Sequence, residues 1–136
     1  MPRIIHTPIQ KRFSDIDSFR HVNNVSQQMY FDVGKSDFFD LTLGRGALFA
    51  PVRFLAAATS TSYIEQIRFP DEIEVTTEVE RIGTKSLTLL QRIVDRQGTI
   101  RTESHSVMVA FDYDAQHSVV IPDTWRHALE EEEEEE

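Results

Sequence analysis

The chain has 136 residues and no cysteine, with 40% hydrophobic residues, 27% charged residues and a formal net charge of −9. This length fits one domain, and this composition predicts a packed core and excludes disulfides, thiol nucleophiles and zinc–thiolate sites. Because the glutamates at 130–136 carry much of the negative charge, the remaining chain is only mildly acidic. It has no basic cluster of the kind that binds nucleic acid.

The two ends of the chain predict the limits of the domain and its location. We expect one domain over residues 1–129 and a disordered tail over residues 130–136, since a block of like charges repels itself. Whether that tail is natural or vector-derived stays open. The start, MPRIIHTPIQ, lacks the pattern of a secretory signal, and no apolar run is long enough to span a membrane. We therefore expect a cytoplasmic protein with no membrane partner.

The apolar pattern predicts a first strand over residues 4–13 and one long helix over residues 25 to about 43. One helix face is apolar at helical spacing and contains Tyr30, Phe31, Gly34, Phe38 and Leu41. A glycine inside such a face costs helix stability, so Gly34 predicts close packing against a neighbour. Apolar side chains off this face predict that the sheet covers more than one side of the helix; these are Val25, Met29, Val33 and Phe39.

The second half of the chain reads as a series of strands. They are expected at residues 53–69, 73–80, 86–95 and 100–113, with turns at 83–85 and 97–98. Pro122 precedes a short terminal helix. One strand, one long helix and then antiparallel strands predict an α+β domain in which a curved sheet packs on a single helix.

A polar loop, FSDIDSFRHVNN, joins the first strand to the helix. Asp, Ser and Asn are ordinary turn residues, and Asn23 or Asn24 suits the helix N-cap. From the residues alone, the loop is either a connecting turn with a good helix cap or an active site built on that cap, since a helix N-terminus offers unbonded N–H groups and a partial positive charge.

Three segments resemble one known family. The Asp15-Ile16-Asp17 step, the His21-Val22-Asn23-Asn24 element and the aromatic helix are similar to the hotdog-fold thioesterases, closest to the acyl-CoA branch with the 4-hydroxybenzoyl-CoA and long-chain acyl-CoA thioesterases. The segments at 69–75 and 81–86 support this resemblance, which covers nearly the whole chain apart from the tail. It implies the hotdog fold, a long central helix wrapped by a curved antiparallel sheet.

The resemblance also implies roles for the loop residues. Asp17 would be the catalytic carboxylate, and the backbone N–H near Asn24 the oxyanion donor. His21 would orient the loop or contact the thioester, and Asn23 would brace the loop by hydrogen bonds. Asp15 is expected to be structural. Whether Asp17 attacks directly or acts as a general base stays open.

Further residues are expected to contact the substrate, an acyl-CoA. Arg20 stands where many relatives have glycine, and would narrow the pocket or reach an acid group of the substrate. Gln27 and Gln28 stand where relatives commonly have an aromatic and an aliphatic residue, which predicts a more polar acyl pocket. Arg81 and Lys85 are expected to meet the phosphates of CoA, because cations suit that task.

No cofactor is expected, and the remaining histidines lack the spacing of a metal site. The family and an exposed edge strand predict a homodimer or homotetramer, with the active site shared between copies. Two alternatives to an acyl-CoA thioesterase stay open: an acyl-carrier-protein thioesterase, and a non-catalytic hotdog domain that binds acyl ligands.

Overall fold

The computed structural model describes residues 3–47 and 50–130 as one antiparallel sheet with two helices. In chain order the elements are β1 (Ile5–Ile9), α1 (Asn24–Leu43), β2 (Val52–Tyr63), β3 (Ile73–Ile82), β4 (Ser86–Asp95), β5 (Ile100–Asp112), β6 (His117–Ser118) and α2 (Asp123–Glu130). This arrangement confirms the predicted α+β hotdog fold. The predicted glutamate tail lies, from residue 131 on, outside the described residues.

The strand order across the sheet is β1-β3-β4-β5-β2, with the short β6 added to β5. All adjacent strands are antiparallel. Because β1 and β2 stand first and last in the strand order, they form the two edges of the sheet. The β2 edge is 12 residues long, carries a bulge between Ala56 and Ala58, and is largely exposed from Ala56 to Ser60. A long exposed edge presents unpaired backbone groups, which favours pairing with another chain.

The helix α1 packs chiefly against β1 and β3, and also against α2 and β4. Gly34 marks its closest approach, because a Cβ at this position would lie 2.5 Å from Val75 Cγ1 and 3.0 Å from Gln91 Nε2. The prediction that this glycine permits close packing is therefore confirmed. Every larger side chain here would push the helix away from the sheet.

Two apolar clusters lie beneath α1. One surrounds Phe38, Leu87 and Met108, and the other surrounds Phe31 and Ile93. Between them runs a set of cross-strand neighbours on β3, β4, β5 and β2, which we call the polar row: Thr77, Gln91, Ser104 and Thr61. Its first three members are almost fully buried. The core is therefore split by a polar layer that reaches the β2 edge.

The expectation that the sheet covers more than one side of α1 was wrong. Val25, Met29 and Val33 are 71%, 45% and 50% exposed, so the sheet of this chain does not cover them, and only Phe39 of that set is buried. Leu41, placed on the apolar face, is 52% exposed. Helical spacing identifies apolar sides of a helix but not what covers them. Neither helix in the described part of the chain is both long and apolar enough to cross a membrane.

Two strands end earlier than predicted. The first stops at Ile9, because residues 13–15 form a 3₁₀ turn around the buried Asp15. The second stops at Tyr63, where the N–H groups of Ile64 and Glu65 both donate to the carbonyl of Arg101 and turn the chain. The terminal helix begins directly after Pro122, as predicted.

The crowding at Gly34 gives the first prediction. We expect Gly34→Ala to lower the free energy of unfolding by about 1–3 kcal/mol, because the added methyl meets the stiff, β-branched Val75. The control is Ser36→Ala, an exposed position of the same helix, which should change it by less than about 0.5 kcal/mol. Urea unfolding measures both. Equal stability of the two variants would contradict the tight packing.

Candidate active site

Asp15 anchors the candidate site. Its side chain is 1% exposed and accepts hydrogen bonds from Tyr30 Oη (2.5 Å), Ser26 Oγ (3.0 Å), and the backbone N–H (2.9 Å) and guanidinium (2.9 Å from Nη2) of Arg12. Its carbonyl accepts from the N–H of Asn23 at 2.9 Å. The expectation that Asp15 is structural is confirmed, since these donors occupy both of its oxygens.

The ionisation of Asp15 follows from these contacts. Burial raises the pKa of the carboxyl, but hydrogen bonds from Tyr30, Arg12 and Ser26 outweigh it and lower the pKa to about 2 from 3.8. Burial and the bond to Asp15 raise the pKa of Tyr30 above its ordinary value. The anchor is therefore a charged carboxylate held by neutral and cationic donors.

The loop after Asp15 forms a tight hairpin. Ile16 bridges Val22, the N–H of Asp17 donates to the carbonyl of His21 (3.0 Å), and the N–H of Arg20 donates to the carbonyl of Asp17 (3.0 Å). The two aspartates have opposite environments, because Asp15 is buried whereas Asp17 is partly exposed. The hairpin thus returns the chain from Asp17 to the start of α1 within a few residues.

The carboxylate of Asp17 is held through one oxygen. Its Oδ1 accepts the backbone N–H of Phe19 at 2.9 Å and that of His21 at 3.5 Å. Among the described residues, no donor bonds Oδ2. The imidazole of His21 likewise makes no hydrogen bond within the described chain, so only the backbone of this residue takes part in the loop. One carboxylate oxygen is oriented and the other is available for chemistry.

The start of α1 has unbonded donors. Asn23 is the N-cap, and its Oδ1 accepts from the N–H of Ser26 at 2.8 Å, while its carbonyl accepts from the N–H of Gln27 at 3.1 Å. The N–H groups of Asn24 and Val25 donate to no acceptor in the described part of the chain. Helix N-termini with such donors attract negative charge. The geometry therefore offers two donors to an oxyanion beside the Asp17 hairpin.

Arg20 has a backbone φ of 66°, in the left-handed region that favours glycine. It closes the turn that begins at Asp17, and its side chain is exposed. This backbone conformation is by itself a reason for glycine at the same position in relatives, and no substrate contact is needed to explain it. The contact of Arg20 with substrate stays a prediction.

The two glutamines at the start of α1 differ in their surroundings. Gln27 is 3% exposed, accepts from Thr102 Oγ1 at 2.5 Å and donates to the carbonyl of Val22 at 3.4 Å, so it fastens the helix to β5. Gln28 is partly exposed, and its Nε2 donates to Thr61 Oγ1 (2.9 Å) and Tyr63 Oη (3.0 Å) on the β2 edge. The structure thus favours Gln28 over Gln27 as the amide near a ligand, and substrate binding by Gln27 stays a prediction.

Arg81 and Lys85 lie far from the loop within one chain. Both are exposed and flank the turn between β3 and β4, next to α2, whose Arg126 donates to the carbonyl of Gly83 at 2.6 Å. The loop lies at the opposite end of the sheet, where β1 ends and β3 begins. The 20-residue helix between these ends spans about 30 Å. A single chain does not bring these cations to Asp17.

Sequence reasoning missed the donors to Asp15 and one further residue of α1. Ser26 and Tyr30 are spaced four residues apart and therefore share a helix face. That spacing was the available signal, but only the fold shows that both point at one carboxylate. Lys35 was also overlooked, although it is 9% exposed in the middle of α1.

Comparison with known proteins identifies the family of the chain. A family model described as the thioesterase-like superfamily matches residues 12–129. No curated protein matches the chain significantly.

Solved structures share the fold of this chain. A predicted thioesterase from Bacillus stearothermophilus is 28% identical, with a TM-score of 0.82, 93% of this chain and 94% of that one covered. A thioesterase from Thermus thermophilus, complexed with coenzyme A and Zn, is 20% identical with a TM-score of 0.81, and the match covers 91% of this chain and 90% of that one. A DHNA-CoA thioesterase from Staphylococcus aureus is 17% identical with a TM-score of 0.81, and the match covers 92% of this chain and 87% of that one. The last two likenesses are of fold.

The anchor gives a pH-dependent prediction. Because the pKa of Asp15 is lower in the folded chain than in the unfolded one, its stabilisation is fully present above about pH 4 and is lost as the pH falls toward about 2. We expect Asp15→Asn to remove about 2 kcal/mol or more at neutral pH, with the difference from wild type shrinking over that window. Chemical unfolding at several pH values measures it.

The exposed Asp114, in the turn after β5, provides the matched control. Asp114→Asn should follow the wild-type profile. If the difference between Asp15→Asn and wild type stays constant down to about pH 2, the carboxylate network does not carry this stability.

Proposed function

Since the chain belongs to the thioesterase-like superfamily and is a thioester hydrolase, we propose that it hydrolyses acyl-CoA thioesters to a carboxylic acid and free CoA. One observation carries the proposal of a site: among the described residues, one carboxylate oxygen of Asp17 and the first N–H groups of α1 have no hydrogen bond, and only a short hairpin separates them in the chain. Hydrolysis of an acyl ester needs these two components.

In the proposed reaction, the N–H groups of Asn24 and Val25 bind the thioester carbonyl oxygen. One such donor contributes about 2.7–4 kcal/mol to the transition state. Asp17 either attacks the carbonyl carbon and expels CoA thiolate, which leaves a mixed anhydride that water then hydrolyses to the carboxylic acid and free Asp17, or it takes a proton from a water that attacks the same carbon and expels the thiolate. In both routes a proton from that water ends on the CoA sulfur. Both routes use the Oδ2 oxygen, since backbone N–H groups hold Oδ1. Asn23 keeps the donors in position by capping the helix.

CoA as the leaving group is supported by chemistry and by likeness. The Thermus thermophilus protein of the same fold was solved with coenzyme A. Arg81 and Lys85 are exposed cations suited to its phosphates. Because they lie at the far end of the sheet from Asp17 in one chain, this binding requires a second copy. His21, partly exposed and without a side-chain bond among the described residues, is proposed to contact the thioester.

We propose that the second copy pairs through β2. Antiparallel pairing of two β2 edges joins the sheets and places the β3–β4 turn of one copy at the same end as the loop of the other. Exposed Val25, Ile64 and Tyr63 lie near this edge or loop, and a partner would cover them. A dimer, or a tetramer built from it, would complete the site.

The first test is thiol release from short, long and aromatic acyl-CoAs by wild type and Asp17→Asn. We expect kcat/KM to fall about 10²- to 10⁴-fold in the variant, with an unchanged unfolding curve. Asp114→Asn is the matched control. Without cysteine, the protein gives no background in a thiol assay.

Three other outcomes of this assay would contradict the proposal or support an alternative function. Equal turnover in both proteins would remove Asp17 from the mechanism. Turnover only of acyl-carrier-protein thioesters would support the carrier-protein alternative. Acyl-CoA binding without turnover of either thioester would support the non-catalytic acyl-binding domain.

The second test concerns the shared site. We expect Ala58→Asp, on the exposed β2 edge, to shift the protein toward monomer in analytical ultracentrifugation and to lower turnover in parallel, because like charges meet across the paired strands. Gln97→Asp, in the exposed turn between β4 and β5, is the control and should leave both unchanged. A monomeric variant with full activity would refute the shared site.

A further inference from the structure

Arg101 lies at the start of β5 and bonds three groups from two other parts of the chain. Its side chain is 14% exposed. Its Nε donates to Oδ2 of Asp95 at 3.0 Å, and its Nη1 donates to Oδ2 of Asp71 at 3.1 Å and to the carbonyl of Gln66 at 2.5 Å. Arg101 therefore joins the end of β4 to residues 64–72, which link β2 to β3 and which we call the connecting segment.

The backbone of Arg101 holds the same segment. The N–H groups of Ile64 and Glu65 donate to its carbonyl, at 2.9 and 3.0 Å. The first residues of the connecting segment are thus bound by the carbonyl of Arg101, and later ones by its guanidinium.

The carboxylates around Arg101 are ionised. Burial raises the pKa of Asp71 and of Asp95, but hydrogen bonds from backbone N–H groups and from Arg101 outweigh it and lower the pKa of both carboxyls. Asp71 also accepts the N–H of Arg68 at 2.9 Å. Because a guanidinium is a rigid planar fork, it binds its acceptors at fixed angles. The cluster therefore holds the connecting segment in one position.

The connecting segment bonds the loop that carries the candidate active site. The carbonyl of Ile67 accepts the N–H of Val22 at 2.7 Å, and both side chains are buried in the same apolar cluster. Val22 closes the Asp17 hairpin through its bridge to Ile16, and it directly precedes the N-cap Asn23. A shift of the Ile67 carbonyl would therefore move both the hairpin and the start of α1.

We propose that Arg101 is a positioning residue of the active site, because it fixes the connecting segment, whose Ile67 carbonyl holds Val22 in place. This inference rests on the proposed function and adds to that site a residue that acts through its contacts rather than on the thioester. The next residue of β5, Thr102, points to the other face of the strand and donates to Oε1 of Gln27 in α1 at 2.5 Å. Two adjacent positions of β5 thus hold the hairpin and the helix relative to each other.

An arginine with a purely structural role would behave differently. If Arg101 only neutralised nearby carboxylates, its loss would lower the free energy of unfolding but leave the kcat of the folded protein unchanged. Loss of a positioning residue lowers kcat, because a displacement of about 1 Å at the reacting groups can cost about 100-fold in rate.

Arg92 provides the matched control. It pairs with Glu103 of β5 at 2.9 Å. Because Glu103 follows Arg101 by two residues in the same strand, this pair lies on the same face of the sheet. In the described part of the chain, Arg92 bonds no residue of the connecting segment. Its replacement removes an ion pair without disturbing the link to Val22.

The test compares Arg101→Met with Arg92→Met on the acyl-CoA that wild type turns over fastest. We expect kcat to fall about 10- to 100-fold in Arg101→Met with KM nearly unchanged, and both constants to be unchanged in Arg92→Met. Asp71→Asn weakens the same contact from the other side and should give a smaller loss, and the double variant should be no slower than Arg101→Met. Arg101→Lys should recover stability more than kcat, since an ammonium lacks the fork.

Amide hydrogen exchange separates this inference from the proposed function. By NMR, the N–H of Val22 should exchange about tenfold faster or more in Arg101→Met than in wild type and Arg92→Met, whether or not any thioester is hydrolysed. Asp71→Asn should show the same effect more weakly, and it decides the matter if Arg101→Met does not fold.

Wild-type kcat in the folded variants, or unchanged exchange at Val22, would overturn the inference and leave the proposed function intact. An equal loss of kcat in Arg92→Met would also overturn it. Faster exchange at Val22 in a protein whose wild type hydrolyses no thioester would refute the proposed function instead.

Discussion

The buried carboxylate of Asp15 is the interaction on which the loop and the helix start both depend. It holds the exit of β1 through Arg12 and the first two turns of α1 through Ser26 and Tyr30. An ionised group at this depth is stable only with all its acceptor positions bonded. Any conformation of the loop that removes a donor therefore costs free energy, and the loop has one stable arrangement.

This anchor explains how two carboxylates two residues apart have different surroundings. Asp15 points into the core, and the hairpin from Ile16 to Val22 keeps Asp17 at the surface beside the α1 start. The fully bonded carboxylate of Asp15 holds the loop in position, whereas Oδ2 of Asp17 accepts no hydrogen bond from the described residues. Groups held in place before a reaction are what the proposed acyl transfer would use, since they need not move during it.

The same helix connects the site to the exposed edge of the sheet. Gly34 lets α1 lie close over β3 and β4, which leaves the inner face of β2 beyond the helix. On that side Gln28 donates to the Thr61 hydroxyl of β2, which itself lies 2.9 Å from Ser104 Oγ on β5. The exposed β2 edge is where the proposed second copy would pair.

The sequence by itself determined the element order, the N-cap, the loop with its carboxylates and the need for Gly34 to pack closely, because each is a local pattern of spacing or residue type. Only the tertiary structure decided that Asp15 meets Tyr30, that Lys35 is buried, that Val25 is exposed and that the Arg81 turn lies at the far end of the sheet. A local pattern reports which side of an element is polar or apolar. It does not report what covers that side, since this depends on contacts between residues far apart in the chain.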